Sequence, residues 1–497
     1  MVMHRRHFLS RGAVASLGGS GALGFLGELP RVAAADAQVL PKGVRLGDGV
    51  EPLVRLLEET PRERLMEEVA QRIRGGVPYR EWLAALLLAG VRNIQPRPVG
   101  FKFHAVLVVH SAHLASLNAP DGERWLPLLW AMDQFKSSQA RDVEEGNWTM
   151  GAVDEAAVPG PEKARAVFEE AMDRWDEGKA DSAVAGFVRG AGAQEIFEVF
   201  CRYGARDFRD IGHKAIYVAN SWRTLQTIGW HHAEPVLRSL AYALLEHEAG
   251  NPAERDEEAD RPGRVNAERL RGIRAGWVTG DGRAGAVAAM LDAVRGATWD
   301  ESSARVVELL NAGAGARAVW DGIFSGAAEM LMRKPGIITL HAVTTANALH
   351  YAFGQVRDDA TRRLLLLQAA SFMSLFRQRG EVSGGTDLAV LEPEAGAVKV
   401  EDIFATMQDD RLRSSRQVLR YLKDGGDRGV LVAAAQRQIY LKGTDSHDYK
   451  FSSAVFEDSG SVGGEWGERY LAASTHWLKG SGGPDNPLVG RIRGAFS

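Results

Sequence analysis

Apolar side chains recur at i, i+3 and i+4 along most of this chain, a helical period. REWLAALLLAGV, PEKARAVFEEAMDRW, QEIFEVFCRYG, EPVLRSLAYALLEHE, AGAVAAMLDAVRG, SARVVELLNAG, DATRRLLLLQAASFMSLFRQRG and VEDIFATMQ each carry such a stripe. The strict alternation of a half-buried strand is scarce. The pattern predicts an all-α fold. Proline and glycine separate the stripes, at Pro96 and Pro98, Pro159 and Pro161, Pro252, Pro262, and Pro335 with Gly336. NPAERDEEADRPGR (251–264) reads as a charged surface loop, and KGSGGPDNP (479–487) opens a flexible tail that runs to 497.

One pattern recurs. REWLAALLLAGVRNIQPRPVGFKFHAVLVVHSAHLAS, QEIFEVFCRYGARDFRDIGHKAIYVANSWRTL and RAVWDGIFSGAAEMLMRKPGIITLHAVTTANALHYAF share it. In each, an apolar helix bearing Trp82, Phe197 or Trp320 leads through a link to a second helix. The first turn of that helix holds a histidine: His104, His213 or His341. Nine residues on comes a ring, His113, Trp222 or His350. The links differ in length, so these are diverged helical repeats and not a regular solenoid. Packed around a shared centre, they would make a central histidine-lined site.

GTDSHDYKFSSAVFED adds a fourth histidine. Ser446 or Asp445 can cap a helix there, which puts His447 in its first turn. Lys450, three residues on, shares its face. On a solvated face the pairing has no consequence. Buried among imidazoles, Lys450 would lose its proton, because burial and neighbouring cations both disfavour the ammonium. A neutral amine takes up carbon dioxide and becomes a carbamate, an anionic oxygen ligand. A lone histidine is most often a hydrogen-bonded core residue, and repetition at one position brings ligation level with that reading. Neutral imidazoles bind iron, zinc, copper or nickel. Four of them leave a divalent ion's charge uncompensated, and one carbamate would offset part of it.

Composition narrows the chemistry. The chain is 45% hydrophobic and 25% charged, with a formal net charge of -4. No basic excess points to nucleic acid or a membrane surface. Cys201 is the one cysteine, which excludes an internal disulfide and a thiolate cluster. GDGRAG (280–285) follows no strand pattern and reads as a turn, and there is no Walker A, HExxH or GxSxG motif. NADPH stays open as a second cofactor with no motif behind it. The chain opens with Arg5 and Arg6, then Phe8 and Leu9, a glycine-rich apolar run from Gly12 to Gly27, and small residues from Ala33 to Ala37. This is the layout of a twin-arginine export signal. The apolar run is too short for a transmembrane helix. The expected division is an export signal at 1–37, a single all-α catalytic domain at 38–478 and the tail. The twin-arginine translocase would carry the folded protein to the periplasm, with no stable membrane anchor.

LHAVT (340–344), the NAL that follows it, and the late DSHDYK resemble the questin oxidase-like family. Members of that family carry a similar HAVT stretch and a similar HxxK stretch. The resemblance spans most of residues 75–475. It implies a helical fold and oxidation or ring opening of anthraquinone-type polyketides. It also implies a non-haem iron held by histidines and a carboxylated lysine, here His104, His213, His341, His447 and Lys450. His341 and His447 rest on the motifs, and His104 and His213 on the repeat. In KFHAVLVVHSAH, His110 or His113 competes with His104 as the ligand. His110, His113 and His350 are candidates for proton transfer or for supporting the ligands. Trp222, Trp230, His231 and His232 are candidates either to line a pocket for a flat aromatic molecule or simply to pack. The expectation is an exported Fe(II) oxygenase acting on a small aromatic or quinone-like substrate with O2. Two other readings stay open. One is a zinc or nickel hydrolase that activates water. The other is a non-catalytic periplasmic helical scaffold, whose four histidines would point to separate places.

Overall fold

The helical period is realised throughout. The computed structural model of the chain describes residues 46–496, apart from 48, 281 and 282. Every regular element among them is a helix. The export signal expected at 1–37 lies outside the described residues.

Four helix pairs build the site. Helix α1 (Tyr79–Asn93) leads to α2 (His104–Leu107), which continues through Val108 into α3 (Val109–Asn118). Helix α4 (Ala193–Gly204) leads to α5 (His213–Ile228), α6 (Ala316–Arg333) to α7 (Ile337–Gln355), and α8 (Arg428–Lys442) to α9 (Ser446–Ser461). Each leading helix packs against the one it introduces. The first three pairs are the repeats expected from the sequence, and α8–α9 adds a fourth. Helices α3, α5, α7 and α9 close a ring: α3 packs on α5, α5 on α7, α7 on α9, and α9 back on α3.

Sequence explains why these helices are interior. IITLHAVTTANALHYAFGQ forms α7, with no Asp, Glu, Lys or Arg, so it has no solvated face. Its residues from Thr339 to Leu349 are all buried. Leu340, Val343 and Leu349 are at most 1% exposed, and such burial contributes about 2 kcal/mol per side chain. Helix α5 is likewise buried from His213 to Leu225, and its Lys214 is paired with buried Asp207 at 3.0 Å. At the start of α9 the cap is Asp445 and not Ser446. Its carboxylate accepts the His447 backbone N–H at 2.7 Å, and Asp448 accepts the Asp445 N–H at 3.3 Å.

Two segments depart from expectation. The tail is not all flexible chain: Pro487–Phe496 is a helix that packs on Leu65–Arg74 and Leu126–Glu145. Val489 and Ile492, one turn apart, are buried there, and Arg491 donates to the carbonyls of Arg62 and Glu63. The glycine-rich KGSGGPDNP masked that short amphipathic stripe. The loop expected at 251–264 becomes helical at Arg261, because proline is tolerated in a first turn, where Pro262 sits.

Candidate metal centre

Each histidine has a local mount. Before α5 the chain reads DIG, and Asp210, Ile211 and Gly212 take φ values of 51°, 45° and 78° in succession. Left-handed backbone at a β-branched residue is strained. The turn folds the Asp210 carbonyl back onto the ring, and His213 Nδ1–H donates to it at 2.6 Å. In α7, His341 Nδ1–H donates to the Ile337 carbonyl at 2.7 Å. In α9, His447 Nδ1–H donates to the Asp445 carboxylate at 2.5 Å. These oxygens only accept, so the proton stays on Nδ1 and the Nε2 lone pair is free to bind. His104 starts α2 directly after a turn in which Phe101 has φ 46°. Gly100 in that turn leaves room for the His213 ring, whose Cε1 would lie 3.3 Å from a Cβ.

The four rings form a quadrilateral. Its centroid-to-centroid sides are 4.9 Å (His104–His213), 4.4 Å (His213–His341), 5.0 Å (His341–His447) and 4.4 Å (His447–His104), and the His104–His341 diagonal is 6.1 Å. His104, His341 and His447 offer ring nitrogens within 4.8 Å of one another. His213 stands outside that trio, but its Nε2 is 2.9 Å from His104 Nε2. Two imidazoles bound at right angles about 2.1 Å from one ion have nitrogens about 3 Å apart, so that spacing fits ligation. In the first repeat it is therefore His104 that joins the cluster, and His110 and His113 do not.

The donor chemistry fits a cation. His341 Nε2, His447 Nε2 and Lys450 Nζ are buried without a hydrogen-bond partner. A buried polar atom left unpaired costs about 1–3 kcal/mol, and an ion shared by the imidazoles would remove that cost. Burial, then the Lys450 charge, pushes His104 and His213 well below the ordinary imidazole range. Burial, then His213, does the same to His341. His447 is also lowered by burial, against the pull of Asp445. Lys450 is 2% exposed, and burial pushes it down to about 7. The imidazoles are thus neutral donors at neutral pH, and much of Lys450 is free amine.

The four histidines line a cavity of about 610 Å³. Phe101, Phe208, Ile211, Ile337 and Ile338 give it apolar surface, and Asp210 and Glu246 also line it. Burial, then the neighbouring Glu246 carboxyl, raises the Asp210 carboxyl to about 9, so Asp210 holds a proton beside the histidines. Lys450 does not line the cavity.

Other expected residues lie elsewhere. His110, His113 and His350 do not line the cavity, because they follow the clustered histidines by six to nine residues, about 9–14 Å along a helix. His113 Nδ1 lies 3.1 Å from the Tyr79 hydroxyl. His350 sits among aromatic rings, 5.0 Å from both Trp320 and Phe324, and buried His110 has no partner for Nδ1. Trp222 stacks on Phe197 at 4.3 Å, and with Trp230 it borders a space of only about 10 Å³. These tryptophans pack and leave no room for a flat ligand. His231 and His232 lie against each other at 3.9 Å, away from the cavity. Sequence reasoning missed Phe101, Asp210, Glu246 and Arg379 as lining residues. The glycine before Phe101 was the one available signal. Comparison of the chain with protein-family models, curated proteins and solved structures finds no match.

Proposed function

We propose that this protein is a mononuclear metal-dependent oxidoreductase, an oxygenase that takes an aromatic or quinone-like substrate and O2. His104, His213, His341 and His447 would hold a ferrous ion, and Lys450, as its carbamate, would supply an anionic oxygen. The observation that carries the metal is the pair of buried, partnerless Nε2 atoms on His341 and His447, each on a ring whose Nδ1–H is tied to an oxygen. The choice of iron and dioxygen rests on the resemblance of the HAVT and HxxK stretches to the questin oxidase-like family. A carbamate-based hydrolytic centre bridges two ions and adds an aspartate. Among the described residues the one group of ligand atoms close enough is the histidine trio, with no carboxylate in it.

Bound iron(II) would supply the one-electron steps that dioxygen chemistry needs. The chain supplies the rest. Its imidazoles stay neutral and keep their lone pairs. The Lys450 amine would attack the carbon of CO2, a C=O electron pair moving onto oxygen and one N–H proton passing to water, giving the carbamate anion. Phe101, Phe208 and Ile337 hold a flat ring and exclude water, while Asp210 and Glu246 hold a proton at the cavity wall. The proposal includes export: Arg5 and Arg6 would direct the folded, loaded protein through the twin-arginine translocase. Among the described residues no helix is long and apolar enough to cross a membrane.

Elemental analysis of the mature protein, purified without chelators or a histidine tag, tests this reading. Stoichiometric iron is expected, and it is lost in His341→Ala and His447→Ala while circular dichroism stays helical. Stoichiometric zinc would move the reading to a hydrolase. A folded protein that takes up no metal would sink both.

A further inference from the structure

The three arginines that line the cavity are not equivalent. Arg209 is engaged by Asp260 at 2.5 Å and Glu257 at 2.6 Å. Arg141 pairs with Glu145 at 2.6 Å. Arg379, exposed in the last turn of the helix Asp359–Arg379, has no hydrogen-bond, ion-pair or ring partner among the described residues. It stands beside apolar surface: a Cβ on the next residue, Gly380, would lie 3.5 Å from Ile338 Cγ2. Ile337 and Phe101 line the same cavity and are 45% and 66% exposed. Two large exposed apolar side chains and an unpaired guanidinium thus share one opening, an amphipathic arrangement that a ligand can satisfy.

The lining carboxylates offset little of that charge. Asp445 holds His447 and caps α9. Glu257 holds Arg209, and Glu246 accepts the Val99 backbone N–H at 2.8 Å. Glu248, which also lines the cavity, has no partner among the described residues and is carried on the segment after helix Ala233–Leu244. Deeper in, α5 begins at His213, α7 at Ile337 and α9 directly after Asp445, and all three of these residues line the cavity, so the positive ends of three long helices lie at its wall. An ion held by neutral imidazoles would add to that field. Guanidinium is also the side chain best shaped to grip a planar acid.

We propose that the cavity selects a flat apolar molecule carrying an acidic group, an aromatic carboxylate or phenolate. Arg379 anchors the anion, and Phe101 and Ile337 hold the ring. As a statement about substrate this rests on the oxygenase reading, but binding itself needs no metal.

Two dyes on one skeleton separate charge from apolar contact. They are 1-anilinonaphthalene-8-sulfonate and the neutral N-phenyl-1-naphthylamine, both fluorescent on leaving water. With the full mature protein, metal-free, the sulfonate dye binds about tenfold more tightly than the neutral one. Arg379→Gln abolishes that preference by weakening the sulfonate dye alone, and Phe101→Ser weakens both. 1-Naphthoate displaces the sulfonate dye, while 1-naphthalenemethanol at equal concentration does not. Arg379 is exposed and partnerless, so Arg379→Gln keeps the wild-type melting curve and metal content. If Arg379→Gln leaves the sulfonate dye unaffected, or weakens both dyes equally, the proposal fails. Dye binding is read without metal and metal content without dye, so either reading can fail while the other stands.

Discussion

Asp445 does two things with one carboxylate. It accepts the backbone N–H that opens α9 and the Nδ1–H of His447. The first bond stabilises the helix, and the second orients the His447 ring and fixes its tautomer. Asp445→Ala removes both. The expected result is a loss of about 1 kcal/mol of stability from the cap and a 10–100-fold weaker hold on the proposed iron, read by urea unfolding and by competition with a chelator. Asp445→Asn keeps an acceptor for the cap but not the charge that favours the His447 N–H, so it restores stability more fully than iron affinity. Equal iron affinity in wild type and Asp445→Ala would disconnect this residue from the centre. His341 and His447 were legible in the sequence because each sits in a recognisable local word. The oxygens that orient His213 and His341 were not, because they are main-chain carbonyls of Asp210 and Ile337, and carbonyls leave no letter in a sequence.

At the scale of elements, the site depends on how closely α5 approaches α7. Gly212, at φ 78°, sits where a Cβ would lie 2.1 Å from Thr345 Oγ1 and 2.7 Å from its Cγ2. Gly212→Ala therefore combines backbone strain with overpacking against a buried helix. A loss of about 2–4 kcal/mol is expected, along with a looser histidine cluster as His213 moves off His341. Thr345→Ala, which removes the two closest clashing atoms, should recover part of the loss in the double variant. A strictly additive double-mutant cycle would show that the two residues do not meet. The same close approach explains what the sequence revealed of this level. Three helix pairs were visible because a histidine recurs at one position in each. The fourth leading helix, α8, was missed because its buried stripe is narrow, centred on Leu431, Ala435 and Ile439. The left-handed turn at Asp210 and Ile211 could not be read, because neither residue type announces a positive φ. Packing imposes it.

For the whole molecule, a ring of buried helices that turns neutral histidines to one point makes stability depend on pH. In the folded chain His104, His213 and His341 lie well below the ordinary value of 6.5, and burial is the leading cause for each. In the unfolded chain they titrate near 6.5. Below that pH the unfolded chain therefore binds protons that the folded chain refuses. The stabilisation is fully present above 6.5 and is lost as pH falls. Each such group contributes at most about 1.4 kcal/mol per pH unit below pH 6, and Asp210 and Asp458, whose carboxyls burial raises, act with the opposite sign. His232, His350 and His476, held at about 4 by burial, act with the same sign as those three histidines. Domain stabilities are about 5–15 kcal/mol, so the metal-free protein should lose a measurable part of its stability between pH 6 and pH 4. Urea midpoints measured from pH 7.5 down to 4.5 would show it. His341→Gln, which removes one of the three groups, should flatten the slope by at most about 1.4 kcal/mol per unit. The proposed iron should steepen the loss, because protons would then compete with the ion for the same lone pairs. A midpoint that stays level from pH 7.5 to 5 would mean that these imidazoles accept protons in the folded state, and a centre built on neutral donors would not survive that result.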